Sequence, residues 1–406
     1  MNILYINTRA RGGGAEKVAM QLCDGINRIE GFNTYYLAGR GAGSKNDEVK
    51  SIYSDKGVRN IINKGKTFLS NNARVHDRYA LKKIVQAIKD NKIDIVHLHN
   101  IHGNYFGIKD MLEIQKCCKV IWTLHDMWAL TGHCANPIKC KKWLNSQCEN
   151  CCDLSLYPKM RIDIANKIYS VKKEVFSNSD IIFITPSVWL SEACKASFLE
   201  NENVSVINNG VNIDTFKPLE KKRLKQKYGV SENRTVLMFV AANLDNPYKG
   251  VNTLLEALEK VKNKKKYEVL VVGKGDQLNL NTEYSIKKFG YIDKDSVMNE
   301  LYNIADLFIL PSKAENFPCS ILESFAAGTP VAGSNVGGIP ELVNERTGWL
   351  FEPENVEQLV HIIESLPNEH EKLAMMQTEC RKAAVEYYSE DIMIDNYKKL
   401  YEEVLR

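Results

Sequence analysis

Two glutamates and a lysine are the side chains best spaced for chemistry in this chain. Glu315 and Glu323 fall in the stretch ENFPCSILE, with seven residues between them. If the second lies on a helix, the rise per residue puts them roughly 10 Å apart. That is too far for an acid/base pair acting on one bond, and suits gripping the two ends of an extended ligand. The N–H groups at the helix start, around Asn316, Phe317, Pro318, Cys319 and Ser320, would lie between them and face negative charge. The plainer alternative has Glu315 complementing the helix dipole and Glu323 pointing to solvent. Lys249, in NPYKG, stands where a strand-end loop meets a helix start, a good place for a phosphate-binding cation.

Two other groups of residues invite a reading. His97, His99, His102 and the pair His125-Asp126 follow strand-like runs, and polar titratable residues past a strand end are better placed for chemistry than for packing. A histidine in such a place is also often structural; His125 stands out because Asp126, Trp128 and Thr131-Gly132-His133 crowd behind it. Within the loop 133–152, Cys134, Cys140, Cys148 and Cys151 are separated by five, seven and two residues. Four thiolates in a short loop with little core read as a structural zinc staple. Buried free cysteines, or a disulfide in an oxidising compartment, are the alternatives.

These residues need a scaffold of strand, loop and helix. Leu307–Leu310 is an apolar run ending at Pro311-Ser312, as in a buried parallel strand. Pro318 suits a first helical turn, and Gly328 with Pro330 stops a helix over Ser320–Ala327. In open α/β sheets that junction is where ligands bind. Ile3–Ile6 reads as the first strand, Gly12-Gly13-Gly14 as a loop bringing N–H groups toward a phosphate, and Lys17–Ile26 as the first helix. This is not the G-x-G-x-x-G fingerprint, and no acidic residue supports a ribose clamp. Further strands are expected at Ile93–His99, Val120–Leu124, Ile181–Ile184, Val204–Ile207, Val236–Ala241, Tyr267–Val272 (ending at Gly273) and Phe289–Ile292. The rhythm restarts near residue 206, implying α/β architecture with two Rossmann-like doubly wound domains facing across a cleft.

Composition bounds the function. A chain of 406 residues, 44% hydrophobic and 26% charged, is that of a globular protein with two domains. No signal peptide pattern and no apolar run near 18 residues is visible, so a cytoplasmic location is expected, with cysteines that stay reduced or bind metal. A net charge of +4 does not by itself argue for nucleic acid. Residues 55–92 carry ten basic against three acidic side chains, interleaved with Ile61, Ile62, Phe68 and Leu69. The segment from Lys56 to Lys92 thus reads either as a solvated helical face or as a peripheral contact with an anionic membrane.

The order Gly12–Glu16, Asn209-Gly210-Val211, Lys249-Gly250, Glu315–Glu323, Gly328–Val331, Gly337–Glu341 and Thr347-Gly348 resembles family 4 retaining glycosyltransferases of the GT-B fold over nearly the whole chain. His125-Asp126-Met127-Trp128 with the cysteine loop is similar to a subgroup that builds bacterial cell-surface polysaccharide and lipopolysaccharide. The resemblance implies an acceptor-binding domain over 1–205, a nucleotide-sugar domain over 206–384 and a C-terminal helix, 385–406, crossing back to the first domain. It implies transfer of a hexose-type sugar from a nucleotide sugar, UDP-linked ahead of GDP-linked, to a glycan or lipid-linked oligosaccharide, with no cofactor required. Glu323 would hold the ribose, and Glu315 with the backbone of Asn316–Cys319 the sugar. Lys249 and the Gly13-Gly14 backbone would neutralise the diphosphate, Gly290, Tyr291 and Ile292 contact the base, and His125 steady the anomeric centre. One departure stands out: Asn243 occupies the position of the family's usual second cation, leaving Arg9, Arg11 or Lys313 as substitutes. The competing classes are a Rossmann-type NAD/FAD oxidoreductase, disfavoured by the missing fingerprint, and a non-catalytic zinc protein binding nucleic acid.

Overall fold

Unbroken apolar runs such as Leu307-Phe308-Ile309-Leu310 need cover on both faces of a sheet. The computed structural model, which describes residues 1–41, 49–53, 58–200, 202–275 and 283–406, supplies such cover twice. Contacts divide it into one unit of Met1–Asn208 with Met393–Arg406 and another of Asn209–Ile392.

In the first unit the described strands are β1 (Asn2–Asn7), β2 (Asn33–Arg40), β3 (Val49–Tyr53), β4 (Ile95–Leu98), β5 (Lys119–Thr123), β6 (Ile182–Thr185) and β7 (Val204–Val206). They pair in parallel in the order β3-β2-β1-β4-β5-β6-β7. The second unit contains β8 (Thr235–Asn243), β9 (Tyr267–Lys274), β10 (Ser285–Lys288), β11 (Leu307–Leu310), β12 (Val331–Ser334) and β13 (Gly348–Phe351). Their order is β10-β9-β8-β11-β12-β13, again all parallel. Because side chains alternate across a strand, Met238, Phe308 and Val331 enter one core while Leu237, Leu307 and Ala332 enter the other. The order reverses between β1 and β4 in one sheet and between β8 and β11 in the other. Those are the topological switch points, where ligands bind beyond the strand ends. Each unit is therefore a Rossmann-like α/β domain.

Several expected elements shift. The first helix spans Gly14–Asn27, starting earlier than Lys17, because the Gly13 N–H finds a cap in Glu16 Oε2 at 3.0 Å. Helix Cys319–Ala327 starts one residue before Ser320, with Pro318 outside it in extended conformation at φ −71° and ψ 117°. Phe289–Ile292 is not a strand: Gly290 turns there at φ +61°, and the edge strand is the preceding Ser285–Lys288. Of the basic window, 55–57 lies outside the described residues, and the remainder holds helices Val58–Leu69 and Arg78–Asp90 with a connecting segment, 70–77, that carries Arg74. Arg74 is no surface charge there: it is buried, pairs with Asp77 and donates to Asn63 O at 3.0 Å.

The final helix, Glu390–Val404, belongs from Met393 onward to the first unit and is tied there by hydrogen bonds. Tyr401 OH meets His97 Nδ1 at 2.7 Å and Tyr5 OH at 2.9 Å, while Tyr397 OH meets Thr123 at 2.8 Å. His97 Nε2 closes the network on Thr123 Oγ1 at 2.8 Å. Burial, with a smaller push from His125, lowers His97 to about 3, so the folded ring stays neutral where the unfolded one would take a proton. Stability should accordingly be complete above the ordinary histidine range near 6.5 and fall as pH drops below it. The slope for each such histidine is about 1.4 kcal/mol per pH unit. Urea midpoints at pH 6.5 and 5, where most carboxylates stay ionised, measure this, and His97→Gln should make the dependence shallower; equal wild-type midpoints would contradict the network.

Candidate active site

At the switch point of the second sheet, the loop after β8 and the loop after β11 bring a cation and a carboxylate together. Lys249 Nζ lies 2.6 Å from Glu315 Oε1, and the Ser312 hydroxyl donates to the same oxygen at 2.9 Å. The glutamate side chain is 12% exposed and the lysine 30%, so the pair is partly shielded yet reachable from solvent. Asn246 caps the short turn carrying the lysine by accepting the Tyr248 N–H at 3.0 Å. Glu315 and Lys249, singled out separately in the sequence, thus form one unit with Ser312, whose part was missed. Ser312 lies one residue past Pro311, but nothing in its type distinguishes it from an ordinary turn serine.

Two glycines allow these loops to converge. Gly250 sits at φ +66°, and a Cβ there would stand 1.8 Å from the Pro311 carbonyl oxygen. Gly337, at φ +56°, would put a Cβ 1.7 Å from the carbonyl oxygen of Glu315 itself. Backbone therefore packs on backbone behind both charged residues, which only glycine permits.

Further along, Glu323 accepts a hydrogen bond from Tyr302 OH at 3.3 Å, which ties it to the helix Asp295–Ile304. Phe317 is buried, and its carbonyl accepts Asn209 Nδ2 at 2.9 Å; Asn316 and Pro318 are buried too, while Cys319 and Ser320 are half-buried. Asn243, exposed at the end of β8, accepts the Asp245 N–H at 3.0 Å. Gly273 spends its N–H on the Gly290 carbonyl at 2.7 Å. Tyr291 is 42% exposed beneath Lys274, with Ile292 half-buried beside it. Lys313, one substitute for the missing second cation, is paired with Glu354.

In the first unit, Gly13-Gly14 follow β1, and Glu16 already occupies the Gly13 N–H. His125 follows β5, and its Nε2 meets His99 Nδ1 at 2.8 Å. Burial lowers His125 to about 4 although Asp126 pulls the other way, so the ring is neutral at ordinary pH. Asp126 turns elsewhere, accepting from Trp128 N–H at 2.8 Å and His102 Nε2 at 2.9 Å. Burial opposes its charge, but His102 and the Trp128 N–H together hold Asp126 below the usual carboxylate range. Lys172 fixes the strap behind it, donating to Thr131 O at 2.8 Å and to Trp128 O above the Trp128 ring.

The cysteine loop gathers around a small cavity of about 20 Å³, lined by His133, Cys134, Cys140, Cys148, Cys151 and Cys152 among others. The Gly132 N–H points at Cys148 Sγ, and His133 Nε2 at Cys151 Sγ, each at 3.2 Å. Burial raises Cys134 to about 12 and Cys148 to about 11, so both thiols are protonated at neutral pH unless a cation joins them. Among the described residues no three His, Cys, Asp or Glu side chains form a ready metal-ligand set.

Two parallel α/β units, one with a lysine–glutamate pair at its switch point, set a charged candidate site where doubly wound folds bind their ligands. Residues 12–215 match the model of Glycosyltransferase Family 4, and residues 220–383 that of Glycosyl transferases group 1. The chain belongs to glycosyltransferase family 4. It is 25% identical over 385 residues to WcaC of Escherichia coli K12, named as a colanic acid biosynthesis glycosyl transferase, covering 89% of this chain and 90% of that one. Sucrose-phosphate synthase from Thermosynechococcus elongatus superposes with a TM-score of 0.76 at 15% identity, over 100% of this chain and 99% of the other. Anabaena HepE in complex with UDP-glucose gives 0.70 at 18%, over 99% and 100%. The fold is GT-B, and the protein is a glycosyltransferase; the oxidoreductase and nucleic-acid alternatives are not favoured.

The glycine contacts give a test with a built-in control. Gly31 also has positive φ, +86°, but a Cβ there meets nothing within 4 Å. Gly31→Ala should therefore cost only the left-handed backbone term, about 1 kcal/mol. Gly337→Ala must also displace the Glu315 carbonyl and should cost about 3 kcal/mol or more. Equal urea midpoints for the two variants would show that the loop yields without strain.

Proposed function

We propose that this glycosyltransferase moves a hexose-type sugar from a nucleotide sugar, UDP-linked ahead of GDP-linked, onto a growing glycan or lipid-linked oligosaccharide. The anomeric configuration would be retained, in the assembly of a cell-surface polysaccharide. The Lys249–Glu315–Ser312 cluster carries this reading, since it offers a cation for a diphosphate and an acceptor for sugar hydroxyls side by side. The colanic acid label of the Escherichia coli relative supports the polysaccharide, and the UDP-glucose held by Anabaena HepE supports the donor.

On this reading Glu323, steadied by Tyr302, binds the ribose, and Glu315 with the Asn316–Cys319 backbone binds the sugar. Lys249 leaves Glu315 for the diphosphate, aided by the Gly14 N–H, and stabilises it as it departs without a divalent metal. His125 hydrogen-bonds the sugar. The bond from anomeric carbon to phosphate oxygen breaks, the acceptor oxygen bonds the same face, and its proton passes to the leaving phosphate. The exposed Lys64, Lys66, Arg78, Lys82, Lys83 and Lys89 of the helices Val58–Leu69 and Arg78–Asp90 would rest the enzyme peripherally on the anionic inner face of a membrane. No helix among the described residues is long and apolar enough to cross one.

Thermal shift with UDP-, GDP- and ADP-sugars, repeated with chelator, tests the donor, because a ligand that binds only the folded state raises the melting temperature. A UDP-sugar should stabilise the protein with or without chelator. Glu315→Ala and Lys249→Ala should each lower transfer by at least about 10²-fold while the chain stays folded, given what single charge-stabilising groups contribute. Full activity in both variants would end this reading.

The zinc staple is a second part of the proposal. Cys134, Cys140, Cys148 and Cys151 share one cavity, and an ion would draw their sulfurs together as it displaced their protons. Elemental analysis should find about one zinc per chain, and chelator alone should lower the melting temperature. Metal-free protein with an unchanged melting temperature would set the staple aside.

A further inference from the structure

The imidazoles that follow β4 and β5 support one more step, which rests on the reading of His125 as a donor-contacting residue. His99 Nδ1 and His125 Nε2 stand 2.8 Å apart, with ring planes 18° from parallel. Two ring nitrogens at that distance share one proton, so one must donate and the other accept. Both rings are neutral at ordinary pH, His99 because burial pushes it well below its ordinary value. Only two arrangements remain. In one, His99 donates from Nδ1 and His125 keeps its own proton on Nδ1. In the other, His125 donates from Nε2 and His99 must hold its proton on Nε2.

His99 Nε2 decides between them. That atom is buried with no hydrogen-bond partner among the described residues, and His99 as a whole is 0% exposed. The second arrangement would bury a bare N–H there, whereas the first leaves only a lone pair; orphaned buried N–H groups are the rarer fault. His102 likewise points its Nε2 at the Asp126 carboxylate and leaves its buried Nδ1 without a partner among the described residues. The His99 backbone is held on both sides, its N–H by Ile6 O at 2.9 Å and its carbonyl by Trp122 Nε1 at 2.7 Å. Its ring stacks on Tyr5 and lies 4.4 Å from that of His97, the hub tied to the final helix.

We propose that His99 is a positioning residue that fixes His125 as the Nδ1–H tautomer, so that His125 offers the sugar nucleotide a hydrogen-bond donor and not a lone pair. The partner atom on the ligand is then an acceptor, a sugar or phosphate oxygen. A general-base role for His125 is closed off, because its only lone pair is taken by His99.

Long-range proton–nitrogen NMR on the full chain labelled with nitrogen-15 histidine reads the tautomer directly, with His125 assigned by its loss in His125→Gln. The wild type should show His125 protonated on Nδ1 and accepting on Nε2. His99→Leu should release His125 to a mixture of tautomers and lower kcat about 10²-fold, with the donor KM within about twofold. His99→Asn, whose amide nitrogen can replace Nδ1, should restore both the tautomer and most of kcat. Wild-type His125 protonated on Nε2, or an unchanged tautomer in His99→Leu, overturns the proposal. A folded wild type that transfers no sugar would instead overturn the transferase role of His125, and the tautomer measurement would still decide this one.

Discussion

Close backbone contact is the constraint on which the candidate active site depends. Lys249 and Glu315 come from loops 66 residues apart, and their 2.6 Å separation exists only because Gly250 packs against the Pro311 carbonyl and Gly337 against that of Glu315. Side chains at either position would hold the strands' carboxyl ends apart. The ion pair itself contributes little to stability, as partly exposed pairs do. What it provides is placement: a cation and a carboxylate from two separate loops stand side by side at the switch point, where doubly wound folds bind ligands.

The first unit reaches a comparable placement by different means. His125, its candidate site residue past β5, is positioned by side-chain hydrogen bonds reaching deep into the sheet. His125 leans on His99, whose neighbour His97 is held by Tyr401 and Thr123, and Thr123 by Tyr397. Five of these side chains, His97, His99, Thr123, Tyr397 and Tyr401, are fully or almost fully buried. Buried polar networks of this kind specify one arrangement strongly, because alternatives leave further buried polar atoms unpaired. The final helix is thus part of the first unit's core.

The difference explains what could be read beforehand. Strands buried on both faces announce themselves as apolar runs, so Leu307–Leu310 and Tyr267–Val272 were legible nearly to the residue, as were Glu315 and Lys249 at strand ends. Edge strands carry no such run. Ser285–Lys288 has one apolar residue, Ile286, and the apolar Phe289–Ile292 beside it drew the expectation although Gly290 turns the chain there. Asn33–Arg40 and Val49–Tyr53 were missed for related reasons, with tyrosines and lysine diluting the pattern. Arg74 looked like one more charge in a basic window, since pairing with Asp77 and Asn63 depends on contacts that composition hides.

His99 is the sharpest case of that limit. In sequence it is one of three histidines within six residues, and the default for such a residue is a satisfied core position. In the folded chain it is in the core with one nitrogen engaged and the other without a partner among the described residues. A buried polar atom left unpaired costs about 1–3 kcal/mol, a cost the packing around it must offset. Burial of an imidazole by itself would be met more cheaply by an apolar ring such as phenylalanine at the same place. The nitrogen that is engaged faces His125 and nothing else, so the polarity of His99 acts on His125 alone, and through that contact on whatever His125 meets.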